Sequence, residues 1–205
     1  MDEAQARQWL SDRFGVSRET MLSRFVEMLR DEAGRQNLIA RSTLDQLWHR
    51  HIVDSAQLLD HASGVDGLWI DIGTGAGLPG MVIAILRDGP IRMVEPRRRR
   101  VEFLNQVVDS LGLNNAEVVL GRIETAPRTS PAAIISARAV AGLPELFAGA
   151  QGHADQSTLW VLPKGQSAQS EVAAARGTWQ GVFHVEPSIT DPQSGIVIAN
   201  KVRPR

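Results

Sequence analysis

The residues best suited to chemistry are concentrated in Asp71-Ile72-Gly73-Thr74-Gly75-Ala76-Gly77-Leu78-Pro79-Gly80. Glycine lets a backbone turn tightly and lets a ligand touch bare main chain. Pro79 suits a first helical turn, where its missing N–H would have been unpaired anyway. The free N–H groups of that turn are expected to face whatever fills the loop. The apolar run Leu68-Trp69-Ile70 leads in, and Met81-Val82-Ile83-Ala84-Ile85-Leu86 leads out. Strand, glycine loop and helix in that order form the entry to a nucleotide-binding α/β sheet.

Two ligands compete for this loop. Gly75 to Gly80 matches G-x-G-x-x-G, the dinucleotide fingerprint, which would make the chain an NAD(P)-dependent oxidoreductase. The other register is Asp71-x-Gly73-x-Gly75-x-Gly77, which resembles the first motif of class I S-adenosylmethionine (SAM) methyltransferases. There the acid sits at the carboxyl end of the strand. A carboxylate in that place suits a cationic cofactor better than a pyrophosphate, which it would repel. Glu95 ends the next apolar run, 20 residues after Gly75. In either reading an acid there accepts hydrogen bonds from ribose hydroxyls.

Further candidates sit at the ends of later strands. Gly121-Arg122-Ile123-Glu124 follows the third strand; in a methyltransferase layout Ile123 lies against an adenine face, with a backbone N–H near its edge. Arg138, in Ser136-Ala137-Arg138-Ala139, and Lys164, in Pro163-Lys164-Gly165, fall in the row of strand ends that lines a ligand crevice. Arg97-Arg98-Arg99-Arg100 opens a helix, where cations oppose the macrodipole at about 0.3 kcal/mol or more each. A run that costs stability favours a polyanion contact. Trp48-His49-Arg50-His51-Ile52-Val53-Asp54-Ser55 is the densest polar cluster, and its place just before the loop gives Arg50 and His51 a substrate-side role. Arg24, Arg30, Arg35 and Arg41 could extend the basic surface. His49 and His51 do not face one another on a helix, and there is no H-E-x-x-H, so no metal is expected. No Ser-His-Asp spacing and no paired carboxylates are found. That suits methyl transfer to a ring nitrogen, in which positioning supplies most of the catalysis.

Around these residues the chain reads as one ordinary α/β unit. It has 205 residues, 43% hydrophobic and 22% charged, with a net charge of -1. No bulk basic field announces nucleic acid, although all but Lys164 and Lys201 of the 22 basic residues are arginine. There is no cysteine, which rules out disulfides, thiolate metal sites and a cysteine nucleophile. With no signal-like start and no apolar run of about 18 residues, no membrane contact and a cytoplasmic location are expected. Residues 1–62 are expected to be a helical cap and 63–205 the cofactor domain. The cap holds a helix over 3–13, a helix N-capped by Ser17, and a helix opened by a capping-box variant at Ser42-Thr43-Leu44-Asp45. Strands are expected at Leu68–Ile70, Ile91–Glu95, Ala116–Leu120, Ala132–Ser136, Thr158–Leu162, Val182–Val185 and Ile196–Lys201, with helices at Arg97–Ser110, Pro144–Ala150 and Gln166–Ala175. The alternation implies a mainly parallel sheet, and the last two strands an antiparallel hairpin. The expected fold class is therefore α/β, and the Asp71 register and the closing hairpin make it resemble a Rossmann-like class I SAM-dependent methyltransferase with a seven-stranded sheet and an N-terminal helical cap.

Taken together, Asn37-Leu38, Arg50-His51-Ile52-Val53-Asp54-Ser55, the loop from Asp71 to Gly80, Arg99-Arg100-Val101-Glu102-Phe103-Leu104, Arg122-Ile123-Glu124, Ser136-Ala137-Arg138-Ala139 and Lys164-Gly165 resemble the RsmG (GidB) family of 16S ribosomal RNA guanine-N7 methyltransferases. The resemblance implies SAM as cofactor and S-adenosylhomocysteine as product. It implies cofactor contacts at Gly73, Leu78, Ile123, Glu124 and Arg138, with Glu95 on the ribose, and the loop register adds Asp71, Gly75 and Gly77. Arg138 would also position the methyl transfer. From the residues themselves, RNA contacts are expected at Arg50, His51, Arg97, Arg98, Arg99, Arg100 and Lys164. The partner would be 16S rRNA in the 30S subunit, the target a guanine at position 527 in the 530 loop, and the enzyme a monomer. A non-catalytic RNA-binding module that holds SAM is the third reading. The sequence departs from the family pattern at Ile39, where a hydroxyl residue is usual, and at Pro96 before four arginines.

Overall fold

The computed structural model describes residues 1–205, apart from the side chain of Arg41. Two helices open the chain, α1 (Glu3–Phe14) and α2 (Val16–Ala33). Asp2 caps α1 through a reciprocal capping box with Gln5, a start signal outside the motifs picked out above. Gly15, at φ 86°, separates the two helices and is itself the N-cap of α2, so Ser17 lies inside the helix rather than capping it.

The segment expected to be one capped helix from Ser42 is broken into four pieces. A 3-10 turn spans Arg41–Gln46 and a π turn Trp48–Val53; the short helices α3 (Asp54–Ala56) and α4 (Leu58–His61) follow. Ala40, not Ser42, holds the N-cap place, with no side-chain cap. The cause is visible in the hydrogen bonds. The backbone N–H groups of Trp48 and His49 donate to the Glu3 carboxylate at 3.0 and 2.9 Å, so a remote acid takes donors that a regular helix would use. Widened turns of this kind re-aim side chains and recur at functional sites.

From Trp69 strands and helices alternate: β1 (Trp69–Ile72), α5 (Gly80–Leu86), β2 (Ile91–Glu95), α6 (Arg98–Leu111), β3 (Ala116–Leu120), β4 (Ile134–Ala137), α7 (Leu143–Ala150), β5 (Leu159–Gly165), α8 (Ala168–Ala175), β6 (Trp179–Pro187) and β7 (Gly195–Pro204). They form one seven-stranded sheet in the order β3-β2-β1-β4-β5-β7-β6. The first five strands run parallel, and β7 pairs antiparallel with both β5 and β6. β1, β2 and β4 are buried at every position, as parallel strands covered on both faces must be.

Two apolar layers enclose the sheet. On one face Leu10, Phe25 and Leu29 of the cap pack with Met81 and Ile85 of α5 and Leu104 and Val107 of α6. On the other, Phe147 meets Trp160, Trp179 and Phe183 at ring-centroid distances of 4.9, 5.5 and 6.0 Å. The chain order reverses between β1 and β4. Ligands of open α/β sheets bind at such a switch point, outside the carboxyl ends of the strands. The glycine loop and Arg138 follow β1 and β4, which flank that point, and Glu95 ends the neighbouring β2.

Candidate functional site

The loop between β1 and α5 has a shape that only glycine can supply. Gly73, Gly75 and Gly77 have φ values of 63°, 60° and 86°. A Cβ on Gly77 would stand 2.8 Å from that of Met81, and one on Gly80 would stand 2.7 Å from an Asp71 oxygen. The loop therefore lies flat on its own strand and helix. Its inner N–H groups are engaged, contrary to the expectation that they face a ligand. Gly77 and Leu78 donate to Thr74 O at 2.9 and 3.0 Å, Gly80 to Asp71 Oδ2 at 2.9 Å, and Gly75 to Glu95 Oε2 at 2.9 Å. Pro79 stands at the N-cap of α5 rather than within its first turn.

Asp71 is completely buried, with Oδ1 accepting from Ser136 Oγ at 2.7 Å. Burial pushes its carboxyl up to about 6, against the opposing pull of the Ser136 and Gly80 hydrogen bonds. Ser136 in turn accepts from Trp69 Nε1 at 2.8 Å. The acid at the strand end thus grips the loop from beneath instead of facing the crevice. Glu95 is 2% exposed and holds the loop from the side. Besides Gly75 it accepts from Arg97 N at 2.9 Å, and the Arg100 guanidinium stands 3.9 Å away. Gly121 N donates to Glu95 O at 3.1 Å, which sets the turn of Ile123 and Glu124 next to that strand end. Ile123 is buried, with its carbonyl bonded to His153 Nε2 at 2.9 Å, whereas Glu124 is exposed and leans over Gly149.

Two stretches that are far apart in the chain meet above the loop. Arg138, just past β4, pairs with Asp54 at 3.2 Å. Asp54 Oδ1 also accepts from Thr190 Oγ1 at 2.8 Å and Gln57 Nε2 at 2.9 Å. Gln57, 2% exposed, accepts from Ile189 N at 2.9 Å and so ties the cap to the β6–β7 loop. His51 Nε2 stands 2.9 Å from Thr43 Oγ1, and its Nδ1 is buried without a partner. Burial and then the Arg138 charge lower its pKa to about 4, outweighing Asp54, so the ring is neutral at pH 7. Arg50 is exposed, near enough to Asp191 to add to the Gln193 and Ser194 hydrogen bonds that hold that carboxyl below its usual range.

Of the arginine run, Arg97, Arg98 and Arg99 are exposed. Arg100 is half-buried and donates to Asn37 O at 3.1 Å, which brings Asn37-Leu38 to the glycine loop. Arg30 and Arg35 line a neighbouring hollow with Asn37; Arg24 donates to Ser110, and the Arg41 side chain lies outside the described residues. Lys164 is turned inward. Its ammonium pairs with Glu171 at 2.9 Å and donates to Ala141 O.

A cavity of about 180 Å³ sits over the loop, walled by Leu38, Gly73, Gly75, Leu78, Arg100 and Arg138. Beside it lies a larger one of about 500 Å³, at the ends of β4, β5 and β7. The strap from Arg138 to Gly142 runs between them. Ala139 has φ 55°, a costly region for an alanine, and Val140 lies over Gly73. Asp54 stands within the polar cluster and the family stretch, but nothing there assigns it a role, and Gln57, Val140, Glu171, Ser188 and Thr190 have no signal in the sequence. The contacts of Gln57 and Asp54 with Ser188, Ile189 and Thr190 span more than 130 positions and that of Asp54 with Arg138 spans 84, distances at which no local pattern exists. Among the described residues, no group of His, Asp and Glu could hold a metal ion, and no helix is long and apolar enough to cross a membrane.

Comparison with known proteins gives a consistent result. The family model for rRNA small subunit methyltransferase G matches residues 18–191. A ribosomal RNA small subunit methyltransferase G from Sphingopyxis alaskensis is 49% identical, over 96% of this chain and 85% of that protein. One from Rhizorhabdus wittichii is 46% identical, over 100% and 95%. Among solved structures, the glycopeptide N-methyltransferase MtfA complexed with sinefungin aligns with a TM-score of 0.62 at 8% identity, over 73% of this chain and 93% of that one. A mutant of MtNAS in complex with S-adenosylmethionine gives 0.59 at 15%, over 98% and 84%. At such identities these structures establish the fold alone.

Proposed function

The chain belongs to the rRNA small subunit methyltransferase G family, and we propose that it transfers a methyl group from SAM to N7 of a guanine in the 530 loop of 16S ribosomal RNA. The observation that carries this reading is the meeting of the glycine loop with the Asp54–Arg138 pair at the switch point of the sheet. The relatives' name and the antiparallel end of the sheet set the dinucleotide reading of Gly75–Gly80 aside. A module that binds SAM without catalysis gains no support from relatives named as methyltransferases.

The site suits the cofactor. The left-handed glycines leave a cradle that a side chain at Gly73 could not share, since its Cβ would stand 2.7 Å from Val140. With their N–H groups engaged inside the protein, Gly73, Gly75, Gly77 and Leu78 would hold the methionine end by close contact of bare backbone rather than by donating to it. Glu95 would hold the ribose, and Ile123 and Glu124 the adenine. Asp71 serves by keeping the loop in shape. When bound, SAM supplies a sulfonium methyl whose transfer to a ring nitrogen needs no base, and S-adenosylhomocysteine is the product.

The protein's own part is positioning and the exclusion of water. N7 of guanine carries a lone pair and no proton, so no side chain has to remove one. Arg138 on the cavity wall, paired with Asp54, places little uncompensated charge beside a ring that becomes cationic as it is methylated. Arg97, Arg98 and Arg99 are open to phosphates, with Arg50 at the rim. A monomer acting in the cytoplasm, where the ribosomal RNA of its namesake relatives is found, is part of this proposal. Calorimetry and label transfer test the reading: SAM should bind and NADH should not, and tritiated methyl should pass to 30S subunits. Binding of NADH, or no label on the RNA, would overturn it.

A further inference from the structure

We propose that the larger cavity receives the extruded target base and that Asp54 and Arg138 together read its Watson–Crick edge. This rests on the guanine-directed reading above and adds a residue, Asp54, and a recognition chemistry to it.

An enzyme that modifies a base inside folded RNA takes that base out of its stack and reads its exposed edge. The seat must border the methyl donor. The two cavities described above share Arg138 and Ala139 in their walls, so the strap is where donor and acceptor meet. At about 500 Å³ the larger one falls within the ~300–1,000 Å³ typical of ligand pockets.

The chemistry of the wall selects the base. Asp54 Oδ1 is filled by Thr190 and Gln57, with Ser188 at 3.5 Å. Among the described residues Oδ2 accepts from Arg138 alone, at 3.2 Å. A carboxylate oxygen accepts about two hydrogen bonds, so one place remains, and a guanidinium has five N–H donors. Side by side, the pair offers a donor and an acceptor. Guanine presents their complement, the O6 acceptor beside the N1–H donor. Adenine presents the reverse: its amino group would face the guanidinium and its N1 lone pair the carboxylate. N7 lies on the other edge of the purine, clear of the pair. A tie that only joined the cap to the sheet would serve as well sealed. Here the Arg138 and Asp54 side chains keep 22% and 19% of their surface open, on the cavity wall. Gln57 and Thr190 hold Asp54 in place, so the edge is set before the base arrives.

The test uses the intact enzyme and 16S RNA carrying guanine, inosine or 2-aminopurine at the target position. Inosine keeps O6 and N1–H, whereas 2-aminopurine lacks both and keeps N7. Wild-type enzyme should bind and methylate the inosine RNA much as it does the guanine RNA. With 2-aminopurine it should lose about tenfold or more in both affinity and rate, as expected for a hydrogen bond to a charged group. Asp54→Asn should lose about as much on guanine RNA while still binding SAM by calorimetry, and its gap between guanine and 2-aminopurine should narrow. The proposal is overturned if wild type treats 2-aminopurine as guanine, or if the gap is the same in the variant. Should the variant not fold, the three RNAs on wild type decide alone. If guanine RNA binds but takes no label, the functional reading fails, and the base-reading proposal still stands or falls on the three affinities.

Discussion

Asp71 shows how burial can reverse what a residue type suggests. A carboxylate beside a glycine loop reads as an electrostatic partner for a cation. In the structure it is sealed beneath the loop and bonded to Gly80 N and Ser136, with its pKa raised from 3.8 to about 6. An acid whose folded pKa is raised stabilises the protein fully below the unfolded pKa, and that contribution is lost as pH rises through the folded value. Asp71 should therefore cost the wild type up to about 3 kcal/mol between pH 4 and 7. Urea unfolding at both ends of that window should show Asp71→Asn gaining relative to wild type as pH rises. A difference that does not change with pH would contradict the assignment. The loop itself allows a second prediction. A methyl at Gly80 would meet Met93, Asp71 and Thr74 at 2.6 to 2.7 Å. Gly80→Ala should cost about 1–3 kcal/mol in denaturant unfolding, as overpacked sites do. The glycines and Asp71 were legible because their spacing along one strand-loop-helix unit is local, and Glu95 because it ends the next strand only 20 residues after Gly75. Where the Asp71 carboxylate points was not, because that depends on Ser136, 65 positions away.

At the scale of elements, α6 is the most exposed to its own sequence. Four arginines fill its N-cap and first turn, with no acid in the first turn and no side-chain cap. Arg100 is drawn to Asn37 and Glu95, while Arg97 and Arg98 remain exposed. Replacing Arg97 and Arg98 by Gln should leave folding unchanged or slightly improved, by a few tenths of a kcal/mol. RNA affinity should fall, and the slope of log affinity against log salt should drop by about one for each phosphate that is no longer neutralised. A slope that does not move would show that this helix end does not touch RNA. Most elements were readable from periodicity: β2 and β3 fall where the apolar runs place them. The failure at 42–60 has a definite cause. Glu3 captures the N–H groups of Trp48 and His49, and nothing near Trp48 in sequence announces that. The π turn that follows carries His51 to Thr43 and precedes Asp54, which meets Arg138.

Across the whole molecule, the expected boundary near residue 62 marks a change of pattern rather than a gap in packing. One apolar cluster runs from Leu10 and Phe25 of the cap to Met81 and Leu104 of the sheet layer, and Gln57 ties the cap to the β6–β7 loop. Thermal or denaturant unfolding should accordingly show a single transition by both tryptophan fluorescence and far-UV circular dichroism. Separate midpoints would mean that the cap melts on its own. The cap and the β6–β7 loop reach the crevice from opposite ends of the chain, which is why the glycine loop was legible in sequence and the cavity was not. The proposed activity turns on where the methyl group lands. Purified enzyme, labelled SAM and 30S subunits from a strain lacking the enzyme, followed by mapping of the label, give the most direct answer. Label is expected on N7 of a single guanine in the 530 loop of 16S rRNA. Label on another base or another ring atom, or none at all, would contradict the proposed activity.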